Sequence, residues 1–175
     1  MARFDVGIYV KLKIPDVVAE TAFNTLVRRM GYADLLDALD REDYWLISLE
    51  CANSDEARRT AEEIVMKCGA IYNKNKHTYR IALAGETLGD KSIDVLVWSK
   101  GEDGLAAYVK STLVNTLGFK NVLDVKAGVL WKIYFKNSVS GDARKELAER
   151  IAVTKSRKEG LFVNPHSQDY KVLLR

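Results

Sequence analysis

The sequence has no apolar run long enough to cross a bilayer. Its first residues, MARFDVGIYV, alternate where an export signal needs a continuous apolar core. The expectation is a cytoplasmic chain with no membrane partner. Cysteine is scarce. Cys51 and Cys68 stand singly, without metal-ligand spacing, and read as small buried hydrophobes of a reducing compartment. Charge of one sign is also lacking: 27 basic residues against 24 acidic give a net charge of +3. A dedicated nucleic-acid binder carries a stronger, clustered excess, so the balance argues against nucleic acid. There is no G-x-x-x-x-G-K-[ST] phosphate loop, no G-x-G-x-x-G after a strand and no G-x-S-x-G elbow. Cys68, in MKCGA, falls late in an amphipathic helix, away from the strand-to-helix turn and the base that a nucleophile needs. The two histidines, His77 and His166, read as surface or turn residues. The expectation is therefore no catalytic residue, no cofactor and no metal.

What is present is a repeat. FDVGIYV (4–10) lies over IDVLVWS (93–99), and MGYADLLDA (30–38) over LGFKNVLDV (117–125). Trp45-Leu46-Ile47 lies over Trp131-Lys132-Ile133, and SDEARRTAEEI (54–64) over SGDARKELAERI (140–151). Asn73 then lies over Asn164, and TYRIAL (78–83) over DYKVLL (169–174). The matches keep their order and their spacing drifts by a few residues. The reading is one small module written twice, at 1–84 and 92–175, with a short polar connector at 85–91 carrying Gly85 and Gly89.

Each copy opens with period-two alternation, Phe4, Val6, Ile8, Val10, Leu12 and Ile14 in the first, and Ile93, Val95 and Val97 in the second. A helix follows, with Val18, Ala22, Leu26 and Met30 on one face, or Leu105, Val109, Leu113 and Leu117. Gly31 and Gly118 are placed to close these helices in a left-handed conformation. A long bent or split strand then ends in Trp45, Ile47 and Leu49, or Trp131, Ile133 and Phe135. The second helix starts at Ser54 or Ser140, expected as caps. Its inward face is Ala57, Ala61, Ile64 and Cys68, or Ala143, Leu147 and Ile151. A last strand carries Tyr79, Ile81 and Leu83, or Tyr170, Val172 and Leu174. The fold class is α+β: two tandem β-α-β(β)-α-β modules, helices on one face of each sheet. Leu96, Trp98, Leu130, Tyr134 and Leu173 make the other sheet face too apolar to be fully wetted. The expectation is that the two sheets pack together as a pseudo-dimer, any remainder serving a partner or self-association.

Several of these motifs resemble the PurS family, the small subunit of phosphoribosylformylglycinamidine synthase in purine biosynthesis. GFKNVLDVKAGVLWKIYF (118–135) resembles its glycine–aromatic and lysine-x-glycine strand. The capped helix SGDARKELAERI, Asn164-Pro165 before the last strand and the closing DYKVLL also fit. The first copy keeps Gly31-Tyr32 but has no later glycine, and it has Asn73-Lys74 in place of Asn-Pro. The resemblance implies a subunit that carries no chemistry of its own, needs no cofactor, and bridges the ATP-using synthetase subunit and the glutaminase subunit. A tandem chain would supply the PurS dimer in one polypeptide. The aligned loop and strand-end positions nominate Arg41, Asn73, Lys126, Asn164, Pro165 and His166 as partner-interface residues.

Two other functions fit a sheet-based module of this size. Trp98, Tyr134 and Tyr44 could stack RNA bases if exposed on an open sheet. A tandem regulatory module could take a small ligand, with Gly101 and Gly104 marking a helix entry. The basic stretch KSRKEG (155–160) reads as a solvated loop at a helix end, where cations suit the helix dipole.

Overall fold

A computed structural model of the chain describes residues 1–86, 89, 91–156 and 159–174. The expected connector at 85–91 and the basic stretch at 155–160 therefore lie partly outside the described residues. The elements run β1 (Ala2–Leu12), α1 (Val17–Arg29), β2 (Leu36–Cys51), α2 (Ser54–Lys67), β3 (His77–Leu83), β4 (Ile93–Ser99), α3 (Gly104–Ser111), β5 (Val122–Phe135), α4 (Gly141–Ala152) and β6 (Gln168–Leu174). A π-type turn at Thr112–Thr116 continues α3. The order strand, helix, strand, helix, strand thus occurs twice, in a mixed α+β fold.

The six strands belong to one antiparallel sheet, ordered β3-β1-β2-β5-β4-β6. This corrects the expectation of two sheets packed on each other. The physical reason lies in β2 and β5, which run as continuous strands of 16 and 14 residues rather than split ones. The second half of β2 pairs with β1, from Asp43 opposite Val10 to Cys51 opposite Ala2. The second half of β5 pairs with β4, from Val129 opposite Val97 to Ile133 opposite Ile93.

The chain forms two compact units. The first contains Met1–Ile14, Asp43–Leu88 and Glu102–Gly128, and the second Pro15–Glu42, Gly89–Gly101 and Val129–Arg175. Each unit draws on both halves of the chain. In the first, Val6, Ile8 and Val10 of β1 and Trp45, Ile47 and Leu49 of β2 are covered by α2 and by Ala106, Val109 and Leu113 of the second copy. In the second, Val95 and Val97 of β4 and Trp131 and Ile133 of β5 are covered by α4 and by Ala19, Ala22 and Leu26 of the first copy. Within each unit the helices cover one face of the strands, and burying these aliphatic side chains is the main stabilising term.

Ala22 and Leu26 of α1 and Val109 and Leu113 of α3 and its continuation are buried as expected, but each inward face begins one residue later than expected. Asp16 caps α1 through hydrogen bonds from the Val18 and Ala19 N–H groups, at 2.9 and 3.3 Å. Asp103 caps α3 in the same way, from Leu105 and Ala106 at 3.0 and 3.2 Å. With the start fixed there, Ala19 and Ala106 turn inward, while Val18 and Leu105 are 50% and 54% exposed. Gly31 and Gly118 close these helices at φ of 81° and 80°, a conformation glycine adopts without a Cβ penalty. The second helix also corrects the expected caps. Asn53, not Ser54, accepts from the Glu56 N–H at 2.9 Å, and Ser140 stands at the cap position of α4 without a side-chain cap bond. Both cysteines are buried and free, as expected. On the other face of β4–β6, Leu130 is fully buried, and Leu96, Trp98, Tyr134 and Leu173 are half-buried.

Candidate functional site

The six nominated residues fall into three kinds of place. Asn73 and Asn164 open the turns that launch β3 and β6. The Asn73 side chain accepts from the Asn75 N–H at 2.9 Å, and its carbonyl accepts from His77 at 2.8 Å. Asn164 repeats both bonds, from His166 at 3.0 Å and Gln168 at 2.8 Å. The turn is closed from the other side. The Asn73 N–H donates to His77 Nδ1 at 3.1 Å, and the Asn164 N–H to Gln168 Oε1 at 2.8 Å. These are asparagine turns that pre-form the chain reversal. A lysine pins each turn: Lys13 Nζ donates to the Lys74 carbonyl and Lys100 Nζ to the Pro165 carbonyl, each at 2.6 Å. Pro165 and the His166 side chain are exposed beside this turn.

Arg41 lies on β2 in the second unit. Its Nε donates to Asp16 Oδ2 at 2.9 Å, with the two side chains 23% and 14% exposed. One carboxylate therefore both caps α1 and binds the arginine. Lys126 is exposed on β5 in the first unit, where its charge helps to lower the Asp5 pKa.

The strand face of the first unit that the helices leave uncovered carries a polar and aromatic cluster. Ser48 Oγ donates to Asp5 Oδ1 at 2.5 Å, while Arg3 Nη2 donates to Ser48 Oγ at 2.9 Å. The Ser48 hydroxyl bond, with the Arg3 guanidinium behind it, holds Asp5 below its ordinary pKa against the opposing effect of burial. Four residues along, the Tyr9 and Tyr44 rings tilt together at 5.1 Å, and the Arg80 guanidinium lies 4.8 Å from the Tyr9 ring centre. Gly7 makes room for them: a Cβ there would stand 3.1 Å from Tyr9 and 3.2 Å from Tyr44. Burial pushes the Tyr44 phenol well above its usual range, with Tyr9 and Asp5 adding to the shift. Tyr44 is thus packed against a neighbour rather than presented as an open stacking platform.

The second unit holds an apolar groove of about 400 Å³, lined by Val17, Val18, Thr21, Ala22 and Thr25 of α1 with Trp131, Leu161 and Phe162. Trp131 and Phe162 stack at 4.1 Å with their planes 11° apart. Gly160 sets Phe162 in place. Its φ is +77°, and a Cβ would fall 1.7 Å from the Val153 carbonyl oxygen. That close approach lets Leu161 and Phe162 donate their N–H groups to Ile151 and Ala152, both at 2.9 Å. Among the described residues no ionisable side chain lines the groove, so these residues can seat an apolar group but offer no acid or base. Sequence reading missed it, because Val18 looks like part of an inward helix face and Gly160 looks like a loop residue.

Burial pushes the Cys51 thiol up, and the Asn121 amide, 3.6 Å from Sγ, offsets this in part. A protonated, buried thiol is a poor nucleophile. Among the described residues no group of three His, Cys, Asp or Glu side chains is placed to hold a metal ion, and no helix is long and apolar enough to cross a membrane. No protein-family model matches the chain. No curated protein sequence matches it either.

Proposed function

We propose that this chain is a PurS-like tandem subunit. In this reading it is a non-catalytic bridge between the synthetase and glutaminase subunits of a glutamine-dependent phosphoribosylformylglycinamidine synthase. The observation that carries the reading is that equivalent residues of the two copies do the same local work. Asp16 and Asp103 cap the first helices. Gly31 and Gly118 end them. Lys13 and Lys100, matched by the strand pairings two residues off the alignment of 4–10 with 93–99, pin the turns that Asn73 and Asn164 build. Such agreement in hydrogen bonding supports descent from one module. Linking two modules covalently gives the second a high effective concentration and frees the copies to diverge. The copies also differ from each other. Among the described residues, an arginine is paired to the cap in the first, Arg41 on Asp16, and Pro165 and the Gly160 excursion belong to the second. The direct test is co-sedimentation of the chain with the purified synthetase and glutaminase subunits. A ternary species that forms only when the chain is present supports the bridge. Sedimentation of all three apart defeats it.

The apolar groove beside α1 favours a second reading, a regulatory module that takes a small ligand. The discriminating measurement is a melting scan against purine-pathway metabolites. A saturable rise in melting temperature, abolished by Val18→Asp, would favour the ligand reading, and no shift would leave the bridge.

A further inference from the structure

We propose that the outer edge of β6 is where a second copy of this chain adds, strand to strand. The proposal stands apart from the functional reading above. In an antiparallel ladder, alternate residues bond to the neighbouring strand and the others point outward. In the first unit, the Lys13 N–H donates to the Lys76 carbonyl and the Ala84 N–H to the Asp5 carbonyl. Even-numbered positions of β3 therefore face β1, and Tyr79, Ile81 and Leu83 turn their backbone groups outward. In the second unit, the Lys100 N–H donates to the Ser167 carbonyl. The same alternation turns Gln168, Tyr170, Val172 and Leu174 of β6 outward.

The two edges are protected differently. On β3, Arg58 Nη1 reaches the Ile81 carbonyl at 3.4 Å, and the Leu83 N–H donates to Glu86 Oε2 at 2.9 Å. Arg58 and Glu86 also hold each other, at 2.7 and 2.9 Å. One acceptor and one donor that an added strand would use, the Ile81 carbonyl and the Leu83 N–H, are therefore taken. On β6 the residue equivalent to Arg58 is Arg144, and its Nε donates instead to the Val139 carbonyl at 3.1 Å. Among the described residues, no side chain bonds the outward backbone groups of Tyr170 or Val172. β6 has no proline and runs seven residues, long enough to pair.

Charge selects the occupant and the register. If two β6 strands pair antiparallel about Tyr170, Gln168 faces Val172, and Asp169 of each copy faces Lys171 of the other, twice. Both side chains are exposed, and they fall at the closer, non-hydrogen-bonded positions where opposite charges attract most. Pairing about Lys171 would set two ammonium groups against each other. Pairing about Val172 would leave Lys171 facing Leu173. The strand is therefore self-complementary in one register.

Sedimentation equilibrium of the full chain tests this. The parent is expected at twice the mass of one chain. Val172→Pro removes an outward N–H but no bond to β4, and halves the mass. Lys171→Asp halves it too, and adding Asp169→Lys to that variant restores the doubled mass. A parent at single-chain mass overturns the proposal, as does a dimer that survives both single substitutions. A double variant that stays at single-chain mass overturns the register.

Discussion

Replacing Gly160 with alanine tests the account of the groove. Two costs apply at this position. A left-handed conformation costs a residue bearing a Cβ about 1–2 kcal/mol. The second cost is steric. The new Cβ would meet the Val153 carbonyl oxygen at 1.7 Å, the Val153 carbonyl carbon at 2.0 Å and the Thr154 nitrogen at 2.4 Å. All three are backbone atoms, so no side chain can swing aside, and the excursion that carries Leu161 and Phe162 must lift. Strain of this kind adds about 1–3 kcal/mol. Gly31 is the control. Its φ is +81°, but a Cβ there would have nothing within 4 Å, so only the first cost applies. Urea unfolding followed by circular dichroism reads both variants. Gly160→Ala is expected to lose at least about 1 kcal/mol more than Gly31→Ala, or to melt at least about 2 °C lower. Tryptophan emission should also change, because Phe162 leaves the Trp131 ring. Equal losses from the two substitutions, or a Gly160→Ala protein as stable as the parent, would refute the reasoning.

Other outcomes follow from particular contacts. Asp16→Ala removes a helix cap and the Arg41 partner together, so it should cost more than the roughly 1 kcal/mol of the cap alone, the loss expected for Asp103→Ala, and a double-mutant cycle with Arg41→Ala measures the coupling. Gly7→Ala brings a methyl to 3.1 and 3.2 Å from the Tyr9 and Tyr44 rings, so the rings must shift slightly, with an expected loss of about 1 kcal/mol and a change in the near-ultraviolet tyrosine signal. Asp5 has a folded pKa below its unfolded value. Its stabilising contribution is present above the unfolded pKa and is lost as pH falls through the lowered one, so Ser48→Ala should flatten the acid limb of an unfolding-midpoint profile. Tyr170 is pushed up to about 12 by its hydrogen bond to Glu149, with burial adding. That contribution is full below the phenol's unfolded pKa and is lost as pH rises through the raised one. Tyr170→Phe should remove an alkaline step seen by ultraviolet difference absorbance.

Much of the fold can be read from side-chain periodicity. Strand alternation marks β1, β2 and β5 because one face of each meets helices, and spacing by three and four marks the helices for the same reason. The glycines at 31 and 118 are legible because a helix that ends in a left-handed residue needs one. Periodicity cannot say which strand a helix covers. Val6 and Ala106 pack in one core and Ala19 and Val95 in the other, yet nothing local to α1 or α3 encodes the exchange. The number of sheets was also hidden, because a long strand and a split strand share one alternation. Among the nominated residues, Asn73 and Asn164 are now explained by the turns they build, and Arg41 by its bond to Asp16. The sequence pointed to those places through the repeat. It could not reveal that Lys13 and Lys100 pin the same turns, since each lysine is distant in sequence from the carbonyl it reaches.

The bridging role is tested most directly by reconstituted synthesis. Purified synthetase and glutaminase subunits would be assayed with glutamine, and separately with ammonia, in the presence and absence of this chain. The account predicts that glutamine-dependent synthesis requires the chain while ammonia-dependent synthesis does not. Glutamine-dependent synthesis at the same rate without the chain, or none with it, would contradict the account.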